Sequence, residues 1–350
     1  MAKICKVRIN GELVSANPGD LLLDVALMNG IELPHDCRSG YCGTCQVRIV
    51  SGRCIGASTG NPDFVHACQT RLISDLQVVA EKVPEITAVP GNVVDLVDIA
   101  PDVFEVSVEC EQPVDYIPGQ YLSVQFRGFP ARHYSPTAPL DWPSNPDLIR
   151  FHVRRLPTGR VSSALGRKIK RGHRVKMTGP FGAAYFRPND SRRLVLISSG
   201  TGFAPIWAIA EAAIREKPKR ELVLIAGARD LDSIYMISAL CRLALFPGVT
   251  IVPTTLRRQS ITPAVRHGPP INYLPILSKS DVIYAAGTPA LVQAVVQIAQ
   301  ACGAPYFADP FLPAGGNSDG WAFLSRLSNW VAPAQQDSPP LSIHVGRQTH

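Results

Sequence analysis

Residues 6–10 alternate polar and apolar as Lys6-Val7-Arg8-Ile9-Asn10, and a second stretch at 13–16 follows a Gly11-Glu12 turn. Alternation at a period of two predicts a half-buried hairpin, and Pro18-Gly19-Asp20 ends it. Residues 21–29 change period. Leu22, Val25 and Ala26 fall on one face of a short helix closed by Gly30. Residues 46–50 predict a strand, Ser51-Gly52 its turn, and 76–80 a further strand. Up to Lys82 the pattern is that of a small α+β domain.

Residues 83–91 hold two prolines, a glycine and few charges, and predict a linker at 83–92. Beyond it, residues 92–99, 103–110, 121–126, 148–153 and 174–177 read as short strands between Pro/Gly/Asp turns. One helix is expected at 161–169. This spacing predicts an antiparallel β-barrel or sandwich over 93–189. At 193–197 the pattern changes again, to a continuous apolar run of the buried parallel-strand type. Helices expected at 206–216, 234–245 and 291–302 then alternate with strands at 221–227, 249–253 and 281–286. That order predicts an α/β doubly wound sheet over 190–313. Residues 257–279 are proline-rich and without a period. In the tail, 314–350, a short amphipathic helix is expected at 321–331 and disorder from 333 onward.

The chain has 350 residues and a net charge of +7. Through Lys82 there are eight Lys/Arg against eight Asp/Glu, so the excess lies wholly in the later part. The densest basic run, 154–176, lacks interleaved aromatics. It argues for an acidic redox partner, a phosphate-bearing cofactor or a solvated face, and against nucleic acid. No apolar run is long enough to span a bilayer, and the first residues lack the apolar core of a signal peptide. The nine cysteines are an odd number. These features argue against a disulfide framework and for a reducing cytoplasm.

Three of the cysteines stand as Cys37-Arg-Ser-Gly-Tyr-Cys42-Gly-Thr-Cys45. C-x4-C-x2-C is the spacing at which one loop wraps a plant-type [2Fe-2S] cluster. The small residues between the thiols let backbone N–H groups point at the cluster sulfurs. Zinc usually takes paired C-x2-C knuckles, and no second knuckle is present. Cys54 and Cys68 are the candidates for the fourth ligand. Five residues of strand cover about 16 Å at roughly 3.3 Å each, which places Cys54 at the far end of the expected hairpin. The return path brings Cys68 back, so Cys68 is expected as ligand and Cys54 as bystander. The stretch resembles the plant-type ferredoxin family, whose last ligand lies in an Ala-Cys-Gln context like Ala67-Cys68-Gln69. The resemblance implies a β-grasp fold. The gap after Cys45 is shorter than is usual in that family.

Pro118-Gly-Gln-Tyr121, Arg132-His133-Tyr134-Ser135, His152-Val153-Arg154 and Gly159-Arg-Val161-Ser162-Ser163 follow in this order. The series resembles the FAD domain of the ferredoxin–NADP⁺ reductase superfamily, which implies that these residues bind FAD. Arg132 is a permanent cation suited to a pyrophosphate. Tyr134 offers a flat face to the flavin, and the Ser135 hydroxyl can reach flavin N5. Residues 159–163 are expected to open a helix, whose N-terminus suits phosphate oxygens. Gly200-Thr201-Gly202-Phe-Ala204-Pro205 follows a strand and precedes a helix, a phosphate-binding arrangement. It departs from G-x-G-x-x-G and resembles the nicotinamide domain of the same superfamily. Gly287, Thr288 and Pro289 sit at a strand end where open α/β sheets bind ligands. Relatives commonly carry Cys-Gly there, and this chain has Ala286. Arg229 and Asp230 follow the second strand, where Asp230 suits a ribose 2′-OH and Arg229 a 2′-phosphate. In the closing segment Asp309 and Phe311 match an acid near N5 and an aromatic over the flavin; Phe311 is equally readable as core.

The resemblance covers residues 4 to about 313. Ferredoxin-like, FAD and nicotinamide domains in this order resemble the reductase components of bacterial multicomponent oxygenases that hydroxylate aromatic rings. The implied function is electron transfer from NADH, with NADPH as the other candidate, through FAD to a [2Fe-2S] cluster on Cys37, Cys42, Cys45 and Cys68. The implied acceptor is a Rieske-type oxygenase or its ferredoxin, and the chain is expected to act as a monomer. Two alternatives stay open: a reductase for a pyridoxamine-dependent sugar deoxygenation, and an electron carrier on a degenerate reductase scaffold, for which Ala286 is the one argument.

Overall fold

In the computed structural model, which describes residues 4–35, 38, 40, 43–56, 63–140, 145, 147–257 and 264–311, the first alternating stretches form strands β1 (Cys5–Ile9) and β2 (Glu12–Ala16). Val7 and Ile9 are buried and Lys6 and Arg8 exposed, as the period of two requires. Helix α1 (Leu22–Met28) lays Leu22, Leu23, Val25 and Ala26 against the sheet. Strands β3 (Gln46–Ile55), β4 (Phe64–His66) and β5 (Arg71–Ala80) complete a five-stranded sheet in the order β2-β1-β5-β3-β4, with β1 and β5 parallel.

The turn expected at Ser51-Gly52 is absent. β3 runs on to Ile55, with register shifts on either side of Ser51 and Gly52. Gly52 has φ +98°, and a Cβ there would stand 2.2 Å from the Asp75 carbonyl oxygen. Glycine here makes a bulge that bends the strand rather than ending it.

Strands β6 (Thr87–Ala100), β7 (Val103–Cys110), β8 (Tyr121–Phe126), β9 (Arg132–Tyr134), β10 (Pro136–Thr137), β11 (Leu148–Arg154) and β12 (Arg174–Phe181) form one antiparallel sheet in the order β10-β11-β7-β6-β12-β8-β9. It curls around Val106, Val108, Leu122, Val124, Phe126, Phe151 and Met177, giving the barrel-like layer expected from the short strands. β6 takes in residues 87–92, whose proline and glycine suggested a place outside the sheet. Gly91 permits this, because a Cβ there would meet the Glu109 carbonyl at 2.5 Å. The helix expected at 161–169 is a single 3₁₀ turn, Ser162–Ala164. Gly166, at φ +74°, turns the chain away from helical geometry.

The third sheet is wholly parallel. It contains β13 (Arg193–Ser199), β14 (Leu222–Ala228), β15 (Val249–Thr255), β16 (Arg266–His267), β17 (Asp281–Gly287) and β18 (Tyr306–Pro310), with helices α2 (Phe203–Glu216), α3 (Ile237–Ala244) and α4 (Pro289–Cys302) packed on it. The order β16-β15-β14-β13-β17-β18 reverses direction at β13, so a ligand crevice opens between the ends of β13 and β17. α3 is shorter than the expected 234–245, because Met236, at φ +57°, breaks helical geometry just before Ile237. α2 is buried almost all round. One side packs on the sheet, and the Trp207 indole N–H on another reaches the Ala138 carbonyl at 2.8 Å. Val103 of the second sheet and Phe186 of the segment after β12 belong to this same core. No helix among the described residues is long and apolar enough to cross a membrane. The tail and its expected helix lie outside the described residues.

The bulge makes an expected outcome. Gly52→Ala forces a side chain onto the Asp75 carbonyl at positive φ, so the N-terminal domain loses more than about 1 kcal/mol. Urea unfolding followed by the visible absorbance of that domain should show the midpoint move down, while the unfolding of the C-terminal sheet does not shift.

Candidate active site at the flavin and nicotinamide seam

Cys45 immediately precedes β3, and Cys68 lies in the 3₁₀ turn Ala67–Gln69 just after β4. Gln46 pairs with His66, and the Ala67 N–H donates to the Cys45 carbonyl at 2.9 Å. The two buried thiols are thus held on adjacent segments. Cys54 pairs with Leu72 toward the other end of β3. Cys37 and Cys42 lie outside the described residues. Between and beside them Arg38, Gly40 and Gly43 have φ of +53°, +78° and +71°, and the Gln69 amide N–H₂ donates to the Arg38 carbonyl. Two buried thiols on adjacent segments, beside left-handed residues at 38, 40 and 43, fit an iron–sulfur cluster.

β9 carries the flavin candidates. Its alternation puts Arg132 and Tyr134 on one side and His133 on the other, where His133 is exposed and stacks on Tyr121 at 4.9 Å. Arg132 donates to the Ala131 carbonyl through Nη1 at 2.7 Å, which leaves most of its fork for a phosphate. Burial pushes the Tyr134 hydroxyl up to about 12, against the pull of Arg132. Near Ser135, the buried Thr137 hydroxyl has no protein partner. A guanidinium with spare donors, a flat ring and an unpartnered hydroxyl fit a dinucleotide flavin.

The other expected flavin residues are placed differently. Val153 and Val161 are core. A Cβ on Gly159 would meet the Ser162 Oγ at 2.3 Å, and that hydroxyl accepts from the Leu156 N–H, closing the turn. The Ser163 N–H donates to the Gly159 carbonyl. His152 pairs with Glu105 at 3.3 Å and meets the Tyr235 ring edge-on at 5.2 Å. Arg154 lies 3.5 Å from Asp102 and against Gly200. His152 and Arg154 therefore stand at the seam between the second and third sheets.

On the nicotinamide side, glycine allows two loops to touch. A Cβ on Gly202 would stand 2.3 Å from the Ala286 carbonyl, and one on Gly287, at φ +124°, would stand 2.5 Å from the Ser199 carbonyl. The Ser199 hydroxyl accepts from the Thr288 N–H at 2.9 Å, tying the two strand ends together. Thr201 lies between the two glycines of the 3₁₀ turn Gly200–Gly202. Ala204 and Pro205 are buried at the start of α2, and Pro289 opens α4. Strand register puts Asp309, Ala286, Ser198 and Ala226 side by side across the sheet. The Ser198 hydroxyl in that row is buried without a partner.

Across the seam the Ser135 hydroxyl donates to Asp309 Oδ2 at 3.4 Å. Asp309 keeps some accessible surface, but protein encloses its carboxyl. Burial pushes it up to about 7, and the Ser135 bond opposes the rise only in part. Phe311 is half-buried, and its N–H donates to the Gly287 carbonyl at 2.7 Å. Further out, Asp230 is already engaged. Its Oδ1 accepts from the Ser233 N–H and hydroxyl, and its Oδ2 from Arg229 Nε at 3.1 Å, with Arg257 at 3.9 Å. The Ser233 bond, aided by Arg229, holds the Asp230 carboxyl below the ordinary range. Asp102, Arg257 and Ser198 escaped the sequence reading because no local pattern marks them.

These sites coincide with three domain families. The chain matches a 2Fe-2S iron–sulfur cluster binding domain over 6–72, an oxidoreductase FAD-binding domain over 91–186 and an oxidoreductase NAD-binding domain over 196–297. It is 30% identical to the ferredoxin–NAD(P)(+) reductase component of the naphthalene 1,2-dioxygenase/salicylate 5-hydroxylase systems of Ralstonia sp., over 86% of this chain and 96% of that one. The chain belongs to the family of ferredoxin–NAD(P)⁺ reductase components. The corresponding component of the Pseudomonas putida naphthalene 1,2-dioxygenase system is 28% identical over 88% of this chain and 98% of its own length. The crystal structure of an Amycolatopsis cytochrome P450 reductase is similar with a TM-score of 0.65 at 28% identity, covering 89% of this chain and all of that one. The chain is an iron–sulfur flavoprotein oxidoreductase of this family, with [2Fe-2S], FAD and nicotinamide sites.

The raised Asp309 carboxyl makes an expected outcome for this reductase. A carboxyl whose folded pKa is about 7 binds a proton in the folded state that the unfolded chain has released. Its contribution to stability is therefore full below the unfolded value and is lost as pH rises toward 7. Flavin reduction by NADH should show a step near pH 7 in stopped-flow traces, and Asp309→Asn should flatten that step.

Proposed function

We propose that this chain is the NADH-oxidising reductase of a multicomponent aromatic-ring oxygenase, delivering single electrons to a Rieske-type oxygenase component or to its ferredoxin. The observation that carries the reading is the central position of the flavin domain. Its Gly182 N–H donates to Thr44 beside Cys45, and its Ser135 donates to Asp309 of the nicotinamide sheet. FAD, when bound, exchanges two electrons with a nicotinamide and one at a time with an iron–sulfur centre.

The chain's own residues do the rest. Arg132 would hold the flavin pyrophosphate, and Tyr134 would offer its flat face to the flavin or its ribityl. The Asp309 carboxyl, raised by burial and accepting from Ser135 at Oδ2, would hold a proton for the bound flavin to exchange. Gly200, Gly202 and Gly287 let backbone N–H groups approach the dinucleotide phosphates. Cys37, Cys42, Cys45 and Cys68 would ligate the cluster. NADH is the donor, and NADPH is used as well, because Arg229 and Arg257 flank an Asp230 that is already bonded. The protein acts as a monomer in the cytoplasm. Its similarity to the reductase components of naphthalene dioxygenase systems supports this reading.

Two sets of variants test it. Cys68→Ser should abolish reduction of cytochrome c, which takes electrons from the cluster, while ferricyanide reduction at the flavin persists; Cys54→Ser should leave both rates unchanged. The opposite pattern would remove Cys68 from the ligand set. Arg257→Ala should raise KM for NADPH about tenfold more than KM for NADH, the effect of losing one hydrogen bond to a charged group.

A further inference from the structure

The segment 182–187, which leaves the flavin domain after β12, meets both other domains. At its start Gly182 holds Thr44 at 2.9 Å, and a Cβ on Gly43 would stand 2.9 Å from the Ala183 Cβ. Gly43 and Thr44 directly precede Cys45, so the cluster loop itself is what rests here.

Further along, Arg187 reaches Glu81, the first residue after β5. Arg187 Nε donates to Glu81 Oε1 at 3.1 Å and Nη2 to Oε2 at 2.5 Å, while the Tyr185 hydroxyl donates to the same Oε2 at 2.5 Å. Arg187 Nη1 donates to the carbonyls of Ala183 and Tyr185, both at 3.0 Å. The guanidinium lies 4.0 Å from the Tyr185 ring centre and 3.6 Å from that of Phe307. Phe307 belongs to β18, two positions before Asp309. One guanidinium therefore joins all three domains. Burial raises the Glu81 carboxyl, but the Arg187 and Tyr185 bonds outweigh it and hold the group below the ordinary range. A bidentate pair this enclosed strands a charge if either partner is removed.

The connection that follows is open. Residues 81–86 have no regular structure, and Lys82, Glu85 and Ile86 are exposed. We infer that the Glu81–Tyr185–Arg187 clasp positions the cluster loop against the flavin domain for internal electron transfer, and that its opening lets the N-terminal domain turn about residues 82–86 toward an outside acceptor. The inference rests on the electron relay proposed above and adds no redox step to it. Arg187 and Glu81 act through the placement of the cluster loop and touch no reacting atom.

Glu81→Gln and Arg187→Gln test it in the holoprotein. Each is mixed anaerobically with NADH, and flavin bleaching and cluster reduction are followed separately. The same proteins are digested with trypsin, which cuts after Lys82. Flavin bleaching should keep the wild-type rate, cluster reduction should slow about tenfold, and cleavage at Lys82 should quicken about tenfold, as loss of one network coupling gives. Glu81→Asp, which keeps the charge, should restore part of both effects. If Arg187→Gln fails to fold, the partly exposed Glu81 site still decides. Wild-type cluster reduction and wild-type Lys82 protection in Glu81→Gln would overturn the inference, and so would flavin bleaching that slows in step with the cluster. A wild-type protein that bleaches its flavin but never reduces its cluster would overturn the relay itself, and is told apart because it needs no variant.

Discussion

The fold depends on one helix having almost no solvent face. α2 is apolar around most of its circumference because sheet lies on one side and the flavin barrel on another. Trp207 is fully buried, and its one polar atom is satisfied only across that boundary, by Ala138. An indole N–H left unpaired there would cost about 1–3 kcal/mol. The second and third sheets therefore share a core and cannot slide freely past each other. The glycine turn at the end of β13, the Ser135 hydroxyl and the Asp309 carboxyl inherit their relative positions from that shared core.

Within that frame, small residues decide what fits. Gly202 lies against Ala286 and Gly287 against Ser199, so the two ligand loops close on each other with only the small Ser199 side chain bridging them. The row Asp309, Ala286, Ser198 and Ala226 then offers a nearly smooth wall with one carboxyl at its edge. At Ala286 this wall has only a methyl group. The buried carboxyl stays protonated further into the neutral range than an exposed one, because the wall provides few groups to stabilise its charge.

Much of this was legible in the sequence because it is local. Strand length and the return path set Cys54 apart from Cys68, and the structure has Cys54 toward the far end of β3 and Cys68 beside Cys45. The apolar run at 193–197 gave a buried parallel strand, and the short strands before it gave an antiparallel layer. The departures have local causes too weak to read beforehand. Gly52 reads equally as turn or bulge, and only the Asp75 backbone opposite decides. Gly166 ended a helix that composition favoured, and Gly91 admitted a stretch that looked like linker into the sheet. The contacts between domains were not legible at all. Glu81 and Arg187 lie 106 positions apart, and Ser135 and Asp309 lie 174 apart. No periodicity or motif records which distant residues a fold brings together.

The central claim is a continuous path from nicotinamide to cluster within one chain. An anaerobic titration of the purified holoprotein with NADH, followed by visible absorption and electron spin resonance, tests it most directly. The account expects the flavin absorbance to bleach and the resonance of a reduced [2Fe-2S] centre to appear in the same titration. Bleaching of the flavin with no reduced-cluster resonance would contradict it.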